Sequence, residues 1–216
     1  MINKLEEIKT VENRAIELWN AHSEKSDKTV LLIGVFHGDE FQGEFLIRKF
    51  LETVKSEDLK NNILAIPCFN PDGKHYVTRQ NANGIDLNRN FPTKDFSVVP
   101  KDENYYGGET PASEIETRFM TDIIDKYKPD FILTIHSPYR VVNYDGPALE
   151  EAKKISEITG YPVEENIGYE TPGSFGTYAG KERNIPIITL ELPDGDSYEK
   201  LWEDNNKVFN YLAFEY

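Results

Sequence analysis

Three side chains that could bind a metal follow or end short apolar runs in this 216-residue chain. His37 and Glu40 come after one such run, and His136 ends another. A fourth ionisable group, Glu191, lies near the end of a third run. Two imidazoles and one carboxylate form a ligand set that suits Zn²⁺ and leaves a coordination position for water. The sequence therefore predicts that His37, Glu40 and His136 hold one zinc ion.

Each of these residues has a simpler explanation when taken alone. A histidine can be a hydrogen-bonded structural residue, and a glutamate can lie on a solvated surface. The joint placement at the ends of apolar runs favours the metal site, because ligands of open α/β sheets collect at the carboxyl ends of the strands. The other two histidines, His22 and His75, have polar sequence neighbours and are predicted to lie on the surface or in loops.

A second set of candidate residues lies in the stretch "TRQNANGIDLNRNFP". Arg79, Asn88 and Arg89 fall within it, and Asn83–Gly84 marks a turn that could bring the two arginines together. A guanidinium group presents a rigid fork of donors that suits a carboxylate or a developing oxyanion. The alternative is that both arginines neutralise acidic groups at the surface.

The elements that must position these residues alternate between strand and helix. Apolar runs rich in branched residues predict strands at 29–36, 62–69, 131–136 and 185–192. Helical spacing of apolar residues predicts helices at 3–20, 40–54, 112–127, 147–159 and 197–213. Near-continuous apolarity indicates strands covered on both faces, so the chain is predicted to be an α/β protein with a largely parallel sheet.

Capping residues sharpen some of these boundaries. Ser113 and Glu116 have the spacing of a capping box, Gly160 predicts a helix end, and Ser197 predicts a helix start. The segment 70–110 lacks periodicity and is predicted to be a long ordered loop, which in a compact domain is usually functional.

Composition limits the class of protein. Lys and Arg total 24 against 38 Asp and Glu, a formal net charge of -14, which gives no electrostatic footprint for nucleic acid or an anionic membrane surface. No stretch reaches the roughly 18 apolar residues of a membrane span, and the charged first 20 residues lack the apolar core of a signal peptide. A cytoplasmic protein is therefore expected, with residues 1–216 forming one domain. The single cysteine, Cys68, excludes an internal disulfide and is expected to be a buried thiol.

Several of these motifs together resemble the zinc carboxypeptidases related to pancreatic carboxypeptidase A. The matching stretches are "HGDE", "DLNRNFP", "TIHS" and "TLELP", which span about residues 30 to 195. Within that family the longer stretches "RQNANGIDLNRNFP", "GGETPASEIETR" and "TPGSFGTYAG" resemble the cytoplasmic bacterial amidases that cut γ-D-glutamyl-diaminopimelate. The resemblance implies a single-domain carboxypeptidase-like fold, in which a mixed, mostly parallel sheet is flanked by helices.

The resemblance also implies roles for individual residues. Zinc would be held by His37, Glu40 and His136, and its bound water would be activated by Glu191 as the general base. Arg79 would hold the scissile carbonyl oxygen. The remaining residues would bind substrate: Asn88 and Arg89 the terminal carboxylate, Tyr169 as a capping tyrosine, and Ser174 and Phe175 in the pocket for the leaving residue. Thr177 and Tyr178 could equally be packing residues.

The substrate implied by the resemblance is the murein tripeptide, cut between γ-D-glutamate and meso-diaminopimelate during peptidoglycan recycling. Asp145, Glu170 and Asp194 are equivalent candidates for binding the distal ammonium group of diaminopimelate. One alternative is a zinc carboxypeptidase that acts on other peptide C-termini. A second is an N-acyl amino acid hydrolase like aspartoacylase or succinylglutamate desuccinylase. A third is a peptide-binding module without catalysis. The oligomeric state stays open.

Overall fold

The computed structural model describes residues 2–25, 28–165 and 168–216. Eight strands of this part of the chain form one sheet. They are β1 (Ile2–Lys9), β2 (Ala15–Ala21), β3 (Thr29–Gly34), β4 (Asn62–Ile66), β5 (Phe131–His136), β6 (Tyr139–Asp145), β7 (Val163–Glu164) and β8 (Ile187–Pro193). The α-helices are α1 (Gln42–Thr53), α2 (Pro71–Tyr76), α3 (Ile115–Tyr127), α4 (Leu149–Thr159) and α5 (Tyr198–Asn210). Single 3₁₀ turns lie at Ser56–Asp58 and Leu87–Arg89, and π-helical turns at Gly176–Lys181 and Tyr211–Glu215.

The strands follow the order β1-β2-β4-β3-β5-β8-β6-β7 across the sheet. The pairs β3–β4, β3–β5, β5–β8 and β6–β7 are parallel. The pairs β1–β2, β2–β4 and β6–β8 are antiparallel. The predicted mixed, mostly parallel sheet flanked by helices is confirmed.

Two apolar cores lie on opposite faces of this sheet. In β3, Val30 and Leu32 belong to the core that also contains residues of α1, α4 and α5. Leu31 and Ile33 belong to the second core, which contains residues of α3. Side chains alternate between the two faces of a strand, so a strand covered on both sides must be apolar throughout. This explains the continuous apolar runs of the central strands.

The helix predicted for residues 3–20 is wrong, because that stretch forms the β1–β2 hairpin at one edge of the sheet. The chain turns at Asn13, whose φ of 63° is left-handed, and Thr10 and Arg14 pair across the turn. Ile16 and Leu18 are buried at alternate positions of β2, as the strand period of two requires. Lys, Glu and Leu are good helix formers, and here pairing with the sheet overrides that preference.

The other helix predictions fall on observed helices, with two corrections. Ser113 and Glu116 do not form a capping box: α3 starts at Ile115, and the Ser113 hydroxyl donates to Glu114 instead. The predicted loop 70–110 contains α2, where Asn70 accepts a bond from the Gly73 N–H. The predicted end of α4 and the predicted start of α5 are confirmed. Gly160 ends α4 with φ of 70°, and Ser197 caps α5.

Four smaller expectations concern single residues and the whole chain. Cys68 is a buried free thiol, as predicted, and burial raises its pKa to about 12. His22 and His75 are exposed. None of the helices in residues 2–25, 28–165 and 168–216 is long and apolar enough to cross a membrane. The single-domain organisation of residues 1–216 stays a prediction, which the continuous sheet from β1 to β8 supports.

Candidate active site

Three side chains that could hold a metal meet at the carboxyl ends of β3 and β5. The Nδ1 atom of His37 lies 2.8 Å from Glu40 Oε1, and the Nδ1 atom of His136 lies 2.8 Å from Glu40 Oε2. One potential ligand atom from each residue lies within 4.8 Å of the other two. Within the described ranges, this is the one group of at least three His, Cys, Asp or Glu residues close enough to hold a metal.

The turn between β3 and α1 brings His37 and Glu40 to the same point. The Glu40 N–H donates to the His37 carbonyl, which closes the turn directly before α1. Gly38 is required here because a Cβ atom would lie 1.9 Å from the backbone of Gly73 in α2. The glycine therefore permits close packing of two backbone segments as well as a tight turn. On the other side of the site, the ring of Phe36 stacks on His136.

The electrostatics of this group favour a bound cation. Burial lowers the pKa of His37, but the carboxylates of Glu40 and Asp86 outweigh that effect and raise it to about 9. Burial raises the pKa of Glu40, but the two imidazoles hold it well below its usual range. Asp86 Oδ1 lies 3.3 Å from His37 Nε2, on the side of the ring opposite Glu40. The partly buried carboxylate of Glu40 and the buried carboxylate of Asp86 thus lie next to two imidazoles, an arrangement that suits a divalent ion.

Glu191 lies beside this group through the pairing of two strands. β8 runs parallel to β5, and Glu191 is in register with His136. The carboxylate of Glu191 is buried, and its Oε2 atom has no hydrogen-bond partner among the described residues. Burial raises the pKa of Glu191, and the charge of Glu40 adds to that effect. A carboxylate with these properties is suited to accept and return a proton.

Arg79 projects into the site from the loop after α2. Its Nε atom donates to Asp86 at 2.9 Å, which fixes one edge of the guanidinium group. Its Nη1 atom lies 3.7 Å from Glu40 Oε1, at the side of the metal-binding group. The guanidinium group also lies over the ring of Tyr105, 5.0 Å from its centre. Arg79 is therefore held in place from two directions and lines the cavity beside the metal-binding group.

Asn88 and Arg89 occupy the short 3₁₀ turn that follows Asp86. The Asn88 side-chain oxygen accepts a bond from the Phe175 N–H at 2.9 Å, which leaves its amide N–H donors for other partners. Arg89 Nη1 donates to the Asn88 carbonyl at 2.7 Å. The Arg89 backbone is enclosed by two glycines: a Cβ on Gly107 or Gly173 would lie 2.2 Å from the Arg89 carbonyl oxygen. This turn presents several N–H donors to the cavity, as recognition of a carboxylate requires.

The segment before β8 closes the cavity. Phe175 is buried and contacts Phe36 and Phe91, whereas Ser174 accepts a bond from the Thr177 N–H. Tyr169 is 40% exposed and its ring lies 6.0 Å from that of Tyr105. All ten residues singled out from the sequence line one cavity of about 170 Å³; they are His37, Glu40, Arg79, Asn88, Arg89, His136, Tyr169, Ser174, Phe175 and Glu191.

Comparison with known proteins identifies a family that agrees with the candidate zinc site. Residues 2–151 match the zinc carboxypeptidase family, Peptidase_M14. The chain belongs to the zinc carboxypeptidase family. Its relatives in the family include murein peptide amidase A from Vibrio campbellii, 34% identical over 185 residues that cover 80% of this chain and 72% of that protein. The Escherichia coli K12 murein peptide amidase A is 29% identical over 193 residues, 84% of this chain and 78% of that one.

A solved structure supports the same relationship. The murein-tripeptide amidase from Escherichia coli O157 superposes with a TM-score of 0.80 and 25% sequence identity. The superposition covers 94% of this chain and 88% of that structure. The resemblance to zinc carboxypeptidases, with similarity to murein peptide amidases, is thus confirmed.

The three candidate ligands of this chain fit one zinc ion. Zinc takes imidazole nitrogen and carboxylate oxygen ligands, and catalytic zinc sites use three protein ligands and leave one position open. His37, Glu40 and His136 supply such a set at one point. The chain is accordingly a zinc-dependent hydrolase.

Sequence reasoning missed two residues of this site, Asp86 and Tyr105. Asp86 bridges His37 and Arg79, and its place two residues before Asn88 could have suggested a carboxylate behind the metal ligands. Tyr105 contacts both Arg79 and Arg89 with its ring, and no spacing in the sequence pointed to it. Asp145 lines the cavity, whereas Asp194 and Glu170 do not line it. The sequence had left these three acids equivalent.

Proposed function

We propose that this chain hydrolyses the amide between γ-D-glutamate and meso-diaminopimelate in the murein tripeptide. The observation that carries the proposal is the single cavity that joins the metal-binding group, Glu191 and the Asn88–Arg89 turn. Such a cavity suits an amide that lies next to a free carboxylate. The similarity to two murein peptide amidases and to a murein-tripeptide amidase structure supports this substrate class.

In the proposed reaction, Asn88 and Arg89 bind the free carboxylate of the leaving residue. Charge-assisted hydrogen bonds from a buried guanidinium group are short and directional, so they fix the scissile amide relative to Glu191. Burial of Arg89, which is 5% exposed, strengthens these bonds by excluding water.

Glu191 moves the proton in this scheme. Its carboxylate accepts a proton from the attacking water and returns it to the nitrogen of the leaving residue, so no other acid is required. Arg79 lies next to the metal-binding group and donates to the carbonyl oxygen as negative charge develops on it. His37, Glu40 and His136 would hold the zinc ion, which would supply Lewis-acid chemistry and would lower the pKa of a coordinated water to about 7.

The test is incubation of purified protein with the tripeptide L-Ala-γ-D-Glu-meso-diaminopimelate, with and without a chelator. Mass spectrometry should detect free diaminopimelate and the dipeptide L-Ala-D-Glu, and the chelator should abolish both products. Ordinary peptides with free C-termini and N-acyl amino acids are the comparison substrates. Faster turnover of either class would replace the proposal by a general carboxypeptidase or by an N-acyl amino acid hydrolase. Activity in peptidoglycan recycling and a cytoplasmic location stay predictions.

A further inference from the structure

Tyr105 is 44% exposed although it lines the cavity of the candidate active site. Two guanidinium groups lie over its ring: the Cζ atom of Arg79 is 5.0 Å from the ring centre, and that of Arg89 is 5.3 Å from it. The ring of Tyr169 lies 6.0 Å away. A cation within about 6 Å of a ring centre is attracted by the negative face of the ring. One ring thus contacts both arginines that line the cavity.

The two arginines differ in their other partners. Arg79 donates to Asp86 at 2.9 Å and lies 3.7 Å from Glu40. Arg89 is 5% exposed, and in the described ranges no carboxylate lies within 4.0 Å of its guanidinium group. A buried arginine without a carboxylate partner keeps most of its N–H donors for a ligand. The ring of Tyr105 stabilises this charge without occupying those donors.

The backbone around Tyr105 is bonded to the segment that carries the arginines. The Asp86 N–H donates to the Tyr106 carbonyl at 2.8 Å. A Cβ atom on Gly107 would lie 2.2 Å from the Arg89 carbonyl oxygen, so the two backbone segments are in close contact. The position of the Tyr105 ring relative to the arginines is therefore set by backbone contacts, although the ring itself is partly exposed.

An aromatic ring holds an arginine differently from a carboxylate. A protein carboxylate would accept bonds from the guanidinium group and compete with the carboxylate of the substrate. The face of a ring attracts the positive charge and offers no oxygen atom that takes up an N–H donor. Arg79 and Arg89 also repel each other, since both lie within 5.3 Å of one ring centre, and the shared ring offsets part of this repulsion.

We propose that Tyr105 is a positioning residue, whose ring holds Arg79 for the carbonyl oxygen and Arg89 for the terminal carboxylate of the substrate. It acts through the two arginines, and its hydroxyl group takes no part. This assignment rests on the proposed function, because that function gives each arginine its ligand. Loss of the ring therefore weakens the preference for a free terminal carboxylate, whereas loss of the hydroxyl group does not.

The test compares three replacements of Tyr105 in the zinc-loaded protein. Tyr105→Leu removes the ring, and Tyr105→Phe removes only the hydroxyl group. Trifluorophenylalanine in place of Tyr105 keeps the shape of the ring and withdraws electron density from its face. Tyr76→Leu is the matched control, because Tyr76 is 54% exposed, lies 5.6 Å from the Arg14 guanidinium group and is outside the cavity. The substrates are the murein tripeptide and its amide at the carboxylate assigned to Arg89.

Tyr105→Leu should lower kcat/KM for the free acid by about 5- to 30-fold, and the acid-to-amide ratio of kcat/KM by at least about threefold. Trifluorophenylalanine should lower this ratio relative to Tyr105→Phe. Tyr105→Phe and Tyr76→Leu should leave it within about twofold of the wild type. When Arg89→Ala is already present, Tyr105→Leu should not alter the ratio further, because the ring acts through that arginine.

An unaltered ratio in Tyr105→Leu, or an equal loss in Tyr105→Phe, would overturn the assignment. If Tyr105→Leu does not fold, the two aromatic replacements decide. Equal acid-to-amide ratios in Tyr105→Phe and in the trifluorophenylalanine protein would then overturn it.

A second measurement does not depend on turnover. The solvent exchange of the Arg79 and Arg89 Nε–H protons is followed by NMR in the zinc-loaded protein. Exchange should become at least about threefold faster in Tyr105→Leu and stay at the wild-type rate in Tyr76→Leu. If the wild type does not cut the tripeptide, the proposed function fails, and the exchange rates still decide the role of Tyr105. Unaltered exchange of both protons would overturn that role.

Discussion

At the scale of single residues, Asp86 links the metal-binding group to the candidate carbonyl-binding arginine. Its Oδ1 atom lies 3.3 Å from His37 Nε2, and its Oδ2 atom accepts a bond from Arg79. Burial raises the pKa of Asp86, but His37 and Arg79 hold it well below its usual range, so it is ionised. A carboxylate behind a histidine ligand orients the ring and strengthens it as a ligand.

Asp86→Asn should therefore weaken zinc binding by about 10- to 100-fold without removing any ligand atom. Competition for zinc with a chelator of known affinity measures this change. Asp122→Asn, at an exposed position of α3, is the control and should retain the wild-type affinity. Wild-type affinity in Asp86→Asn would mean that His37 is oriented by its other contacts.

Variants of Glu191 and His136 should distinguish metal binding from proton transfer. Glu191→Gln keeps the size of the side chain and removes its ability to accept a proton, so turnover should fall by about 10²- to 10⁴-fold. Zinc content should stay near one ion per chain, because Glu191 is outside the His37–Glu40–His136 group. His136→Ala should lose both zinc and activity. Metal content by mass spectrometry is measured beside turnover, and equal zinc content in the two variants would contradict this division.

Arg89 should discriminate between free and blocked carboxylates. Arg89→Ala removes a charged donor from the cavity, so kcat/KM for a free-acid substrate should fall by about 10- to 100-fold. The amide of the same substrate cannot form the ion pair and should respond much less. Arg118→Ala, on the exposed side of α3, is the matched control. Equal losses for acid and amide would assign Arg89 to another role.

At the scale of elements, one glycine sets the distance between α2 and the turn that carries the metal ligands. Gly38 has no left-handed backbone requirement, but a Cβ atom there would lie 1.9 Å from the Gly73 backbone. Gly84 presents the opposite case, since its φ is 72° and nothing lies within 4 Å of a Cβ. The two positions separate steric exclusion from conformational strain.

Gly38→Ala should lower the free energy of unfolding by about 2 to 3 kcal/mol or more, because backbone must move to admit the methyl group. Gly84→Ala should lower it by only about 1 kcal/mol, from the left-handed conformation. Urea unfolding of both variants measures the difference. Gly38→Ala should also lower zinc affinity, since His37 and Glu40 share its turn. A smaller destabilisation than that of Gly84→Ala would show that α2 moves easily.

The difference between central and edge strands explains which elements could be predicted from the sequence. β3, β5 and β8 are covered on both faces, so they are mostly apolar and the polar residues at their ends could be assigned to one site. β1 is an edge strand whose exposed positions carry Lys and Glu, and this pattern is also typical of a surface helix. Tyr105 was missed, and Asp145 could not be distinguished from Glu170 and Asp194, because strand register and loop packing, which local spacing does not encode, bring Asp145 and Tyr105 into the cavity.

At the scale of the whole molecule, the position of each carboxylate affects the stability of the fold more than the net charge does. The formal charge is -14, and most carboxylates lie at the surface, where solvent screens them. Glu116 is different, because it is fully buried at the start of α3 near Glu114. One of its oxygens is 3.4 Å from the Asn81 amide, and Oε2 has no partner among the described residues. Burial raises the pKa of Glu116 to about 7, and the charge of Glu114 adds to that rise.

This buried acid should make the stability of the fold depend on pH. An unfolded glutamate titrates near 4.5, so between about pH 4.5 and 7 the folded state binds more protons than the unfolded state. The free energy of unfolding therefore falls as pH rises through this window, by at most about 3 kcal/mol. Glu116→Gln cannot ionise, so its loss between pH 5 and pH 8 should be smaller than that of the wild type by about 2 to 3 kcal/mol. Urea unfolding with zinc present, at both pH values, measures this difference, and Glu199→Gln at an exposed position of α5 is the control. Identical pH dependence in Glu116→Gln and the wild type would mean that Glu116 stays ionised in the folded protein.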